Sequence, residues 1–192
     1  MSTTASSPDS SHALPVVIVL ASGRGERFVA SGGSGSKLRA LLAGTPVMEH
    51  TLAAVRASGL PWHLEDVGHA GMGDSIGAAV RATSGAAGWL ILPADLPLVK
   101  PATLQRVAQA IAEGARAVQP AHDGTKGHPV GFGAASGAAL AALEGAQGAA
   151  AVLRALRAKG AVVDIDVNDI GILTDIDTLD DLARAEALLS SS

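Results

Sequence analysis

The sequence predicts a single α/β domain with a mainly parallel sheet. Three observations carry that prediction. Two continuous apolar runs, Val16–Ala21 and Gly88–Pro93, read as strands buried on both faces. Segments of helical periodicity separate the strand-like ones along the chain. The glycine- and aspartate-rich stretches follow strands, which is where sheets of this kind place their ligands.

The elements read in order as follows. After the first strand, Gly23, Gly25, Gly32, Gly33 and Gly35 suggest a long flexible loop. Pro46 to Ser58 is expected to be a helix, with Pro46 in its first turn and Gly59 at its end. Trp62–Val67 reads as a strand. Asp74 or Ser75 is expected to cap a helix through Ile76, Ala79 and Val80. The Gly88–Pro93 strand ends at Asp95, and Pro101 opens a helix with Leu104, Val107, Ala108 and Ile111 on one face. Strands are expected at Ala115–Pro120, Pro129–Phe132, Val162–Val167 and Gly171–Thr174. Helices are expected at Ala134–Leu143 and Ala149–Ala158. A last amphipathic helix follows Asp175–Asp181 and ends near Leu189.

Composition narrows the class. The 192 residues suit one domain with a tail. Hydrophobic residues make up 48% but aromatics only 2%, so the core must be aliphatic. Residues 1–13, rich in Ser and Thr at their start, are expected to be a disordered tail, with the domain over 14–192. The opening lacks a basic n-region and an apolar h-region, and no apolar run approaches the ~20 residues that span a bilayer. Net charge is −4 with dispersed charges, so no basic face suits nucleic acid. With no cysteine there is no disulfide framework or thiolate site. The expectation is a cytoplasmic protein that binds neither nucleic acid nor membrane.

Five motifs carry chemistry. In Leu20-Ala21-Ser22-Gly23-Arg24-Gly25-Glu26-Arg27-Phe28, a glycine loop after a strand can turn N–H groups toward an anion. Arg27 and, downstream, Lys37 add the positive charge that a triphosphate needs. There is no Gly-Lys-Ser/Thr ending of a P-loop, and Phe28 stands where a dinucleotide fold has Gly or Ala. In Leu92-Pro93-Ala94-Asp95-Leu96-Pro97, a carboxylate at a strand tip suits Mg²⁺; the same aspartate could instead cap a turn before the Pro101 helix. In Thr174-Asp175-Ile176-Asp177-Thr178, the two carboxylates share one face of an extended segment, and either could meet Asp95. Helix capping by Asp177 or Thr178 is the competing use. Gly71-Met72-Gly73-Asp74-Ser75 brings backbone close to something and then starts a helix, which suits a base or ribose. Gly127-His128-Pro129 offers a lone loop histidine.

Taken together and in order, these pieces resemble the MobA-like NTP transferase family, and within it the molybdenum-cofactor cytidylyltransferase branch. Leu20, Ala21, Gly23, Arg27 and Lys37 match its Leu-Ala-x-Gly…Arg…Lys pattern. The other four motifs match its later ones, and the likeness runs from about Val16 to Leu189. It implies a Rossmann-like three-layer sandwich of the nucleotide-diphospho-sugar transferase type. It also implies a Mg²⁺-dependent nucleotidyltransferase that moves CMP from CTP to a molybdopterin-type acceptor, with a molybdoenzyme as possible client. GTP, or a sugar- or polyol-phosphate acceptor, are alternatives; so is a non-catalytic chaperone that hands on a cofactor.

By that resemblance, Leu20, Ala21, Ser22, Gly23, Gly25, Arg27, Lys37, Gly71, Gly73, Ser75 and Asp95 bind nucleotide. Gly127, His128 and Pro129 face the acceptor. Arg27, Lys37 and Asp95 are catalytic, and Asp95 with Asp177, or alternatively Asp175, holds the metal. The sequence departs from the family pattern in several places. Ser22 replaces a small apolar residue and Phe28 a common Met. The Val29–Ser36 loop is longer and the Leu60–Gly71 segment much shorter. Gly145-Ala146-Gln147-Gly148-Ala149-Ala150 stands where Gly-Asp-x-Gly-Ala-Arg is usual.

Overall fold

The structure is a computed structural model that describes residues 14–22 and 25–191. The expected tail at 1–13 and the motif residues Gly23 and Arg24 lie outside the described residues.

Strand β1 (Val16–Leu20) lies between β4 (Trp62–Glu65) and β5 (Gly88–Pro93), parallel to both. Beyond β5 runs β8 (Val130–Gly133), antiparallel, then β6 (Ala117–His122), which pairs in parallel with β9 (Val162–Asp166). β7 (Thr125–Lys126) turns back on the end of β6. A separate small ladder joins β2 (Leu41–Leu42) to β3 (Thr45–Pro46). The parallel strands therefore end at one common edge. Because β8 runs the other way, its N-terminal end reaches that same edge, which brings Gly127 and His128 to the site from in front of their strand.

Alternation along the strands builds the three layers. Val17, Val19, Leu90 and Leu92 face α2 (Val47–Ala57) and α4 (Pro101–Ala112), meeting Leu52, Val55, Leu104, Val107 and Ile111. Ile18, Leu20, Trp89 and Ile91 face the opposite layer of α3 (Met72–Ala82), α5 (Gly137–Ala141) and α6 (Ala150–Ala158). A third cluster joins Phe28, Leu42, Val47, Ile176 and Ala185. It packs the short α1 (Glu26–Ala30) against α7 (Leu179–Ser190), and so ties the glycine loop to the C-terminal segment.

Several expectations are corrected. The stretch after β1 is not loop throughout: α1 forms because Phe28, buried at 2% exposure, anchors one turn in the third cluster. α3 starts at Met72 with Gly71 as its N-cap, so Asp74 and Ser75 lie inside the first turn and cap nothing. Pro46 sits at the N-cap of α2 and not in its first turn. Ala134–Leu143 divides into a 3-10 turn (Ala134–Ser136) and α5. The expected Gly171–Thr174 strand is a 3-10 turn over Ile170–Leu173, held by Asp169, whose side chain accepts the Gly171 N–H. The same buried Asp169 accepts from Lys100 N and Thr103 Oγ1 at the head of α4, so Asp95 is free of that capping duty. Among the described residues, no helix is long and apolar enough to cross a membrane.

Candidate active site

Three segments far apart in sequence converge beyond the tips of β1 and β5. Lys37, buried at the start of a 3-10 turn (Lys37–Arg39), gives hydrogens to Asp95 Oδ2 at 2.5 Å and Asp177 Oδ1 at 2.6 Å. Arg27 Nη1 pairs with the other oxygen of Asp177 at 2.7 Å, its own side chain 77% exposed. Burial alone would depress the Lys37 pKa, but Asp95 and Asp177 outweigh it and hold the ammonium's pKa above the usual value. Asp95 Oδ1 is buried with no hydrogen-bond partner among the described residues. A buried carboxylate oxygen with no donor is a site short of a cation or a proton.

This is where the local sequence matters. Gly25 is the N-cap of α1 with φ +64, a left-handed conformation that glycine adopts without strain. That turn lets α1 fold back and sends Arg27 toward Asp177. Asp95 sits in the turn just after β5, between Ala94, whose N–H bonds Leu20 O, and Leu96, which is buried. Ile176 N donates to Asp95 O at 3.0 Å, so the backbone itself clips the Asp175–Asp177 segment beside the strand tip.

The convergence lies in a cleft of about 670 Å³. Its two walls follow from strand order. The β4–β1 side presents Leu20, Ser22, Gly25, His69, Gly71 and Met72; the β7–β8 side presents Lys126, Gly127, His128, Ile172, Leu173 and Asp175. Lys37, Asp95 and Asp177 lie between them. Burial is the largest influence on His128 and holds its pKa below the usual value, against the opposing pull of the Ile91 carbonyl, Asp95 and Asp175. Its Nδ1 is buried without a partner among the described residues. Burial, with Asp177 and Asp95 nearby, holds the Asp175 carboxyl above the usual range.

Of the residues singled out from sequence, Leu20, Ser22, Gly25, Arg27, Lys37, Gly71, Asp95, Gly127, His128, Asp175 and Asp177 line this one cleft. Ala21, Gly73, Ser75 and Pro129 do not. Gly73 gives its N–H to Gly145 O at 2.8 Å, and a Cβ there would meet Glu144 O and Gln147 O at 2.6 Å. Its glycine serves helix–loop packing. Ser75 is 1% exposed and shares a hydrogen bond with Ser22 Oγ at 2.8 Å, so the unusual Ser22 pins the glycine loop to α3. Asp177 is not a helix cap: Thr178 takes that position, with a capping box to Asp181.

Sequence reasoning passed over Glu65. It is buried at the tip of β4 and accepts from His69 Nε2 at 3.1 Å and lies 3.4 Å from His63 Nε2. The spacing was visible, since residues two apart on a strand share a face, but a polar strand beside a shortened segment gave no reason to look. Lys126 was also passed over; it lines the cleft while bonded to Asp164 at 2.7 Å.

Among the described residues, no three His, Cys, Asp or Glu side chains form a ready metal cage. The donor set is two carboxylates, one of them with an unpartnered oxygen. That fits Mg²⁺, which is held by one or two carboxylates, with water and phosphate oxygens in the remaining positions.

Comparison with known proteins adds to the geometry. No curated protein matches the sequence. The fold is similar to Rv0371c from Mycobacterium tuberculosis H37Rv (TM-score 0.74, 22% identity, 91% of this chain and 98% of that one). A manganese complex of Rv0371c is a further match. It is similar to a nucleotidyl transferase from Methanothermobacter thermautotroptrophicus (TM-score 0.73, 22% identity, 93% and 99% covered). It is also similar to molybdopterin-guanine dinucleotide biosynthesis protein A from Archaeoglobus fulgidus (TM-score 0.61, 21% identity, 92% and 100% covered). At these identities the likeness establishes the fold. Residues 53–161 match the MobA-like NTP transferase domain, a span that holds Gly71, Asp95 and Gly127–His128. The chain thus belongs to the MobA-like NTP transferase family and is a nucleotidyltransferase.

Proposed function

We propose that the protein transfers CMP from CTP to a molybdopterin-type phosphorylated acceptor, with Mg²⁺, and releases pyrophosphate. The observation that supports this most is the unpartnered oxygen of Asp95 beside Asp177, with Lys37 and Arg27 at the same point.

The nucleotide lies along the β4–β1 wall, because the glycine loop that follows β1 belongs to that wall. The acceptor enters along the β7–β8 wall, past Gly127 and His128. An acceptor phosphate oxygen attacks the α-phosphorus in line; the new P–O bond forms as the bond to the β-phosphate oxygen breaks. Arg27, Lys37 and the Gly25 amide meet the charge that grows on the departing pyrophosphate. To do so, Lys37 and Arg27 exchange carboxylate oxygens for phosphate oxygens. Asp95 and Asp177 hold Mg²⁺, which when bound neutralises phosphate charge and polarises phosphoryl oxygens. His128, buried and kept neutral, is a hydrogen-bonding group for the acceptor. The manganese complex of Rv0371c supports a divalent cation, and the likeness to molybdopterin-guanine dinucleotide biosynthesis protein A supports the acceptor class. That second likeness also makes GTP the nearest competing nucleotide.

The test is pyrophosphate release with each NTP and with molybdopterin or sugar-phosphate acceptors. CTP with molybdopterin is the expected pair, and turnover with GTP alone would replace the nucleotide assignment. Asp95→Asn is expected to reduce the rate by about 10²-fold or more while the melting temperature stays near wild type. Near-wild-type turnover would remove Asp95 from the site.

A further inference from the structure

We infer that His69, set by Glu65, selects nucleotides whose base carries an exocyclic amino group. The inference rests on the placement of the nucleotide along the β4–β1 wall.

That wall flanks the charged centre of the cleft, where Lys37, Arg27, Asp95 and Asp177 meet and phosphates belong. Away from those charges it offers Leu20, Gly71, Met72 and His69, with no Lys or Arg among them. Apolar side chains and glycine backbone suit the faces of a base, and His69 is the polar side chain there that can read its edge.

Glu65 fixes how that reading is done. Its carboxylate is 6% exposed at the tip of β4. One oxygen takes His69 Nε2 at 3.1 Å, and the other faces His63 Nε2 at 3.4 Å. A carboxylate can only accept, so the His69 proton sits on Nε2. In the tautomer that carries one ring proton the lone pair is on Nδ1, which has no hydrogen-bond partner among the described residues. An acceptor at that point matches an amino group and opposes a carbonyl. Cytosine offers the amino group where uracil offers a carbonyl oxygen; guanine has an amino group that hypoxanthine lacks. Glu65 is a positioning residue, since it acts through the ring of His69.

The pairs CTP/UTP and GTP/ITP isolate the amino group from the rest of the base. Calorimetric titration of each into the wild-type protein with Mg²⁺ present needs no acceptor. Wild type is expected to favour the amino member of the pair it binds by about tenfold, the worth of one hydrogen bond to a partly buried group. His69→Ala and His69→Phe are both expected to bring that ratio near one while triphosphate binding persists. The phenylalanine keeps the ring without the acceptor, and circular dichroism confirms folding of both variants. Unchanged ratios in both variants, or a wild type that binds both members equally, would overturn the role of His69. A phenylalanine variant that keeps the preference would show the ring to be packing alone, which also overturns it. A wild type that binds no triphosphate would instead refute the nucleotide reading itself.

Discussion

Asp177 and Thr178 are adjacent, yet their side chains do separate things. Thr178 Oγ1 accepts the Asp181 N–H, and the Asp181 carboxylate returns bonds to the Thr178 and Asp177 N–H groups. The Asp177 carboxylate points the other way, to Lys37 and Arg27. The two functions can therefore be separated by mutation. Thr178→Ala should cost about 1 kcal/mol of stability, some 2–4 °C for a chain of this size, with turnover retained. Asp177→Asn should leave the melting temperature nearly unchanged, since the cap is elsewhere and the amide oxygen still accepts from Lys37. Its turnover should fall and its apparent Mg²⁺ requirement should rise. Thermal scans and Mg²⁺ titrations of both variants check this. Wild-type activity and Mg²⁺ dependence in Asp177→Asn would move the metal assignment to Asp175.

Elements at the far side of the sheet are tied by charge as well as by packing. Asp164 on β9 takes two hydrogens from Arg157 of α6, at 2.9 and 3.0 Å, and one from Lys126 of β7 at 2.7 Å. Arg157 also reaches Gln119 on β6 at 2.8 Å. Arg157 first, and then Lys126, lower the Asp164 pKa from 3.8 to about 2. A depressed carboxylate adds stability above its unfolded pKa, and that stability is lost as pH falls through the folded value. Asp164→Asn should therefore be less stable than wild type at pH 7, by no more than about 1 kcal/mol because the side chain is 41% exposed and screened. The gap should close as pH falls from about 4 toward 2. Urea unfolding at pH 7 and at the acid end measures it; a pH-independent gap would mean that the network contributes packing and not charge.

At this same scale the sequence was legible where burial imposed a pattern. β1, β5 and α4 declared themselves because both faces, or one stripe, had to be apolar. The 3-10 turn at Ile170–Leu173 read as a strand because Gly171-Ile172-Leu173 is apolar, and nothing local announces that Asp169 will bend it. Gly73 looked like a ligand-facing glycine, but its reason is the backbone of residues 144–147 lying against it. The Asp95, Lys37 and Asp177 site was legible as a set of motifs. The bonds of Lys37 to both carboxylates were not, since residues 58 and 140 apart reveal a shared hydrogen bond only once folded.

For the molecule as a whole, Lys37 works as a clasp. It joins the segment after β1, the tip of β5 and the strand-like segment before α7, while the third core cluster closes the same three regions from below. Without a bound cation, its ammonium is what keeps Asp95 and Asp177 from facing each other as bare charges. Lys37→Met keeps most of the side-chain volume and removes that charge. Two partly buried carboxylates then repel with no cation between them. The ligand-free variant should lose about 1–3 kcal/mol, below the 3–5 kcal/mol typical of breaking a fully buried pair, because both aspartates retain 15–16% exposure. For a chain of this size that is roughly 2–12 °C in melting temperature. A divalent cation would then take the place of the ammonium. Saturating Mg²⁺ should raise the melting temperature of Lys37→Met more than that of wild type, where the cation must first displace Lys37. Thermal scans of both proteins in EDTA and in Mg²⁺ give the comparison without substrate or turnover. A larger Mg²⁺ shift in wild type than in the variant would mean that the two carboxylates do not form the metal site.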